Sequence, residues 1–106
     1  MKVQPLTPII GAEVSGLNLC RLTDHQFDGL NDAFTEHSVL FFRDQDAMAP
    51  ADQIAFAKRF GPLHTHPAAP TLDEQAEIFV IHAHKDSKIA NGNGWHTDVS
   101  CDEEPP

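Results

Sequence analysis

Cysteine, basic side chains and long apolar runs are all scarce in this sequence. Its two cysteines, Cys20 and Cys101, stand far apart and form no C-x-x-C pair. A structural zinc site built on cysteine is excluded by that count. Without an export signal, free thiols are expected. Seven Lys and Arg against sixteen Asp and Glu leave a formal net charge of -9. Such a balance argues against nucleic acid or an anionic membrane as partner, because both select for basic surface. A small anionic ligand remains compatible, since one local cationic site is enough and a bound metal can supply it. No apolar run approaches the roughly 20 residues that span a bilayer; a clear one, Val39-Leu40-Phe41-Phe42, is four residues long. The first ten residues lack the apolar stretch of a secretory signal, so a cytoplasmic location is expected. Internal repeats and low-complexity segments are also missing. So is a glycine-rich phosphate loop: Gly92-x-Gly94 runs into Trp95-His96, not into a helix.

What is present suits a small soluble domain, or part of a larger one. Hydrophobic residues make up 41% and charged residues 22% of the 106, the mixture of an ordinary globular protein with a thin core. The acidic-proline stretch Asp102-Glu103-Glu104-Pro105-Pro106 resembles a connector. Residues 1–106 are therefore expected to be an N-terminal portion awaiting its second part.

Local signals predict an α+β arrangement. Residues 8–19 mix β-branched and aliphatic side chains with glycines, which predicts a short strand or hairpin turning at Gly11 and Gly16. Thr23 followed by Gln26 forms a capping box. Phe27, Leu30 and Phe34 then share one helical face, with Asp24, Asp28, Asp32 and Glu36 on the other. A helix over 24–37 follows, then a buried central strand over 38–42, apolar on both faces. A second helix is bounded by Pro50 and Gly61, with Gln53, Phe56, Ala57 and Phe60 on one face. Pro62, Pro67 and Pro70 break regular structure, and strands are expected over 78–82 and 95–100, separated by a polar loop.

Histidine is the surplus residue: seven are present, four of them in two H-x-H pairs, His64/His66 and His82/His84. The sharpest local feature is His96-Thr97-Asp98. Side chains at i and i+2 of a strand point to one face, so this imidazole and carboxylate can converge on one cation. A neutral imidazole with a hard carboxylate suits Fe(II), as two arms of a 2-His-1-carboxylate triad that leaves positions open. Trp95 can wall such a site, and the proline-held loop carrying His64 and His66 can reach it. Against this, an acid-rich chain with seven histidines produces an H-x-D by chance, and His82/His84 reads by default as an exposed strand end.

The stretch 93–100, continuing to Glu104-Pro105-Pro106, resembles the H-x-D region of the taurine dioxygenase (TauD/TfdA) family. Three further blocks resemble that family in the same order: 11–19, 39–45, and 56–67, which contains Phe-Gly-Pro-Leu and then His64-Thr65-His66-Pro67. The resemblance implies an Fe(II)- and 2-oxoglutarate-dependent dioxygenase on a double-stranded β-helix (jelly-roll) fold, of which residues 1–106 form the N-terminal portion. It implies that His96 and Asp98 are iron ligands. It further implies that His66, Asn93 and Val99 contact a small, anionic organic substrate, a sulfonate or carboxylate. The reaction would consume O2 and release succinate and CO2. His66, partly protonated near neutrality, would supply positive charge for the head group. A substrate-contacting tyrosine of taurine dioxygenase is replaced by Ala69, which implies a roomier or less polar pocket. The family's distal iron-binding histidine and its 2-oxoglutarate-binding arginine lie past the H-x-D motif and are not in this chain.

Two alternatives stand beside this reading. One is a non-catalytic fragment or interaction module of the same fold. The other is a cupin-like or zinc site using the H-x-H pairs. Strands left without partners at 78–82 or 95–100 would also promote homo-oligomers.

Overall fold

In the computed structural model, residues 1–65, 71–72, 75–88, 94–100 and 103 are described, with the backbone alone at 71 and 72. The chain divides into two compact units, residues 1–56 and 57–106.

The first unit is a three-stranded sheet with one helix. Strand β1 (Lys2–Pro5) pairs antiparallel with β2 (Ala12–Ser15), with Val3 opposite Val14. The six-residue connection is held by Thr7. Its hydroxyl donates to the Ile10 carbonyl at 2.5 Å and accepts the Ile10 N–H at 3.0 Å. Gly11 and Gly16 bracket β2 with φ of 89° and 77°, a region open to glycine and costly for residues bearing a Cβ. The turns expected at these two glycines are therefore present. After a short 3-10 turn (Leu19–Arg21), helix α1 (Asp24–His37) begins with the predicted capping box. Thr23 Oγ1 accepts the Gln26 N–H, and the Gln26 carboxamide accepts the Thr23 N–H. It ends at Ser38, whose φ of 62° turns the chain and whose N–H reaches the Phe34 carbonyl.

Strand β3 (Leu40–Phe42) then pairs parallel with β2, Ala12 opposite Leu40 and Val14 opposite Phe42. A strand–helix–strand crossover results, with β2 in the middle. Alternation along β2 sends Ala12 and Val14 inward and Glu13 to the other face. The core consists of those two residues with Leu30 and Ala33 of α1. The strand predicted to be central thus lies at the sheet edge among the described residues, and Phe41 is 45% exposed. It also starts later than expected, because residue 38 is spent on the helix cap.

A polar clasp joins two loops of this unit. The Gln45 carboxamide accepts the Leu19 N–H at 3.0 Å and donates to the carbonyls of Leu17 (3.2 Å) and Arg43 (3.0 Å). Asn18 adds a 2.7 Å bond to Asp46. Gln45→Ala removes three bonds and strands partly buried backbone groups. It is expected to destabilise the unit by about 1–3 kcal/mol, read as an earlier urea midpoint; an unchanged midpoint would show the clasp to be idle.

Helix α2 (Pro50–Ala57) leads out of the first unit. It is shorter than the span to Gly61 expected from sequence. The Phe60 N–H bonds to the Ala57 carbonyl three residues back, so the chain tightens before Gly61 (φ 152°). Within the predicted face, Phe56 and Ala57 are half-buried, whereas Gln53 and Phe60 are exposed.

In the second unit, β4 (Thr71–Leu72) pairs antiparallel with β5 (Gln75–Phe79). Lys58 Nζ lies 3.6 Å from Glu77 Oε1. The strand expected over 78–82 is thus displaced toward the N-terminus, and residues 80–84 are irregular. Among the described residues no helix is long and apolar enough to cross a membrane.

Candidate metal centre

The segment Trp95–Ser100 is not a strand. Residues 95–97 are irregular and 98–100 form a turn. The turn depends on Val99, whose φ of 44° is a strained setting for a β-branched side chain. This correction changes how the two predicted ligands meet. An extended segment would hold them side by side; the turn instead folds Asp98 back toward His96. His96 Nε2 and Asp98 Oδ1 are 3.1 Å apart, with side chains 53% and 87% exposed. Trp95 is fully exposed and walls nothing among the described residues.

The other nitrogen of the ring is fixed as well. His96 Nδ1 lies 2.7 Å from the Gly94 carbonyl. A carbonyl only accepts, so Nδ1 carries a proton and a neutral ring keeps its lone pair on Nε2. That lone pair faces the Asp98 carboxylate, which also only accepts. Such a pairing needs a cation between its members: a proton, giving imidazolium, or a metal ion. Two ligand atoms at about 2.1 Å from one ion and at right angles to each other lie about 3 Å apart. The observed 3.1 Å separation therefore fits a cis pair of ligands, and the donor set, one imidazole and one carboxylate, fits a divalent first-row metal.

When the cation is a proton, its binding is tightened. The Gly94 carbonyl, and then the negative charge of Asp98, hold the His96 pKa above the ordinary histidine value. An NMR titration of the chain without metal is expected to place the His96 midpoint above about 6.5. Asp98→Asn should lower it only in part, since the Gly94 bond remains. A midpoint at the ordinary value in both proteins would refute the pairing. Because the folded form holds this proton more tightly, the pair favours folding below the ordinary value. That contribution is lost as pH rises through the raised folded pKa. Metal binding has the opposite dependence, since it needs the lone pair.

The remaining predicted site residues are only partly placed. Val99 is half-buried beside Asp98. His66, Ala69 and Asn93 lie outside the described residues, as does Cys101. His64 is partly exposed, with its Nε2 shielded from solvent. Among the described residues no three His, Cys, Asp or Glu converge as a complete metal cage. The Gly94 carbonyl is a backbone group with no side-chain signature of its own; the glycine, which admits a close backbone approach, is the signal the sequence offers.

The profile described as "Taurine catabolism dioxygenase TauD, TfdA family" matches residues 2–106. The chain belongs to this family. It is 39% identical to an alkylsulfatase of Acinetobacter baylyi over 101 residues, 94% of this chain and 31% of that protein. It is 31% identical to an alpha-ketoglutarate-dependent sulfate ester dioxygenase of Pseudomonas putida, over 100% of this chain and 35% of that one. A solved taurine dioxygenase from Burkholderia xenovorans superposes with a TM-score of 0.78 at 30% identity, covering 99% of this chain and 37% of the other. The structure of AAD-2 in complex with Mn(II) and N-oxalylglycine superposes with a TM-score of 0.57 at 31% identity over 63% of this chain and 27% of that one. The chain thus spans about a third of the length of the curated relatives it matches.

Proposed function

We propose that residues 1–106 are the N-terminal portion of a TauD/TfdA-type dioxygenase domain of jelly-roll fold, and that His96 and Asp98 are two of the ligands of its Fe(II). The observation that carries this reading is the convergence of His96 Nε2 and Asp98 Oδ1 at 3.1 Å, with the ring's other nitrogen held by Gly94. The Mn(II) and the 2-oxoglutarate-like N-oxalylglycine named in the AAD-2 complex support the same pairing of metal and co-substrate. Bound Fe(II) with 2-oxoglutarate supplies the oxidising chemistry that hydroxylates a C–H bond using O2, with release of succinate and CO2.

The chain's own residues act by positioning. The Gly94 carbonyl sets the tautomer and aim of His96. Asp98 contributes the negative charge that holds a divalent ion, and the turn at Val99 brings that charge to the ring. Val99, His66 and Asn93 are the residues we assign to substrate contact. The substrate class is a small organic anion: the relatives named above point to sulfate esters and sulfonates, and His66 would balance the head group's charge. A second reading, a non-catalytic fragment or interaction module of this fold, is favoured by the described residues bringing together two ligand side chains and no complete metal cage.

Two measurements on the chain separate these readings. The first is Mn(II) binding by electron paramagnetic resonance, and the second is succinate formation with Fe(II), 2-oxoglutarate, O2 and a panel of alkyl sulfates and alkylsulfonates. Metal binding with succinate formation supports the dioxygenase. Metal binding without succinate leaves the fragment reading for this chain. Absence of both overturns the assignment of His96 and Asp98.

A further inference from the structure

The second concentration of ligating side chains is the alternating run His82-Ala83-His84-Lys85-Asp86. Both imidazoles are exposed. Their ring centroids are 5.9 Å apart and their planes are tilted by 53°. His84 is anchored by a hydrogen-bonded turn. Its N–H donates to Ser87 Oγ at 3.0 Å, its carbonyl accepts the Ser87 N–H at 2.9 Å, and its Nδ1 accepts the Asp86 N–H at 3.2 Å. One ring is thus held in place and the other stands beside it in water.

We propose that His82 and His84 form a second metal site, for a borderline divalent cation such as Zn(II) or Cu(II), with water completing the coordination. A metal held by a ring nitrogen at about 2.0–2.1 Å lies roughly 3.2 Å from the ring centroid. Two rings on one ion therefore have centroids about 5 Å apart at a tetrahedral angle and about 6.4 Å apart when opposed. The observed 5.9 Å falls between these limits. The donor chemistry also differs from that of the first pair. Two imidazoles without a carboxylate favour zinc, copper or nickel, whereas imidazole with carboxylate accommodates harder ions such as iron and manganese. Asp86 does not complete a three-residue cage, so affinity is modest.

Coordination has a structural consequence at the turn. With Nδ1 of His84 accepting the Asp86 N–H, the neutral ring carries its proton on Nε2. A cation at Nε2 requires that proton to leave to solvent and Nδ1 to take one up. A cation at Nδ1 displaces the amide directly. Either way the Asp86 N–H loses its acceptor.

The test is a Zn(II) titration of the chain, followed by calorimetry and by amide NMR, in a background carrying His96→Ala and Asp98→Ala so that the first pair contributes nothing. Zn(II) binding is expected to survive in that background, with the Asp86 amide shifting and exchanging faster with solvent. His82→Gln with His84→Gln should weaken binding by roughly tenfold or more. Both rings are exposed, so the fold tolerates these changes; either single variant reads the same loss of affinity if the double one fails to fold. Unchanged affinity in the glutamine variants, or an Asp86 amide unmoved at saturation, overturns the proposal. This outcome is independent of whether His96 and Asp98 bind iron.

Discussion

Asp98→Ala is expected to reduce divalent-metal binding at the His96 site by more than about 100-fold, beyond the 10–100-fold typical of losing only a supporting hydrogen-bond partner. The carboxylate supplies the negative charge at this centre and, with a neutral imidazole, half of the donor atoms the described residues bring together. Asp98→Asn should be nearly as damaging, because a carboxamide oxygen keeps the shape but not the charge. Loss of the free Mn(II) resonance signal on titration reads the effect. If Asp98→Ala binds Mn(II) as the unchanged chain does, the 3.1 Å approach of the two side chains is an ordinary surface ion pair, worth little on its own.

Leu30→Ala is expected to be the most disruptive change in the first unit. Leu30 is 1% exposed, and with Val14, Ala12 and Ala33 it makes up the whole buried core. Truncating a buried leucine costs about 2–5 kcal/mol. A unit of this size has a total margin of roughly 3–8 kcal/mol, so the variant should lose most of its native population. Urea denaturation followed by circular dichroism should show a midpoint shifted far downward. Ile9→Ala is the control: Ile9 is 88% exposed, and its removal should change stability by about 0.5 kcal/mol or less. Equal losses in both variants would mean that the core lies elsewhere.

The first unit was largely legible from the residues. Thr23, Gln26 and the Phe27–Leu30–Phe34 spacing placed α1 at its observed bounds, because capping and helical periodicity are local. Strand β1 was missed, since Lys2–Pro5 contains a proline and little alternation and is strand only by virtue of pairing with β2. Edge and centre could not be told apart for Val39 to Phe42, because apolar residues on both faces record burial in a sheet without recording its order. At the candidate metal centre, sequence identified the two residues but suggested the wrong backbone. Thr97 and Val99 favour extended conformations, yet Val99 occupies the left-handed region. Propensity is a weak prior, and no sequence pattern announces that a β-branched residue is to be held against its preference.

The His37 carbonyl accepts two backbone donors, Gly11 N–H at 2.9 Å and Val39 N–H at 2.7 Å. The residues that lead into the middle and edge strands therefore share a single oxygen at the last turn of α1. Fraying, the ordinary fate of a helix end, is opposed there: unwinding that turn would strip the residues leading into both strands of a bond at once. Opening of that turn is consequently coupled to the starts of both strands.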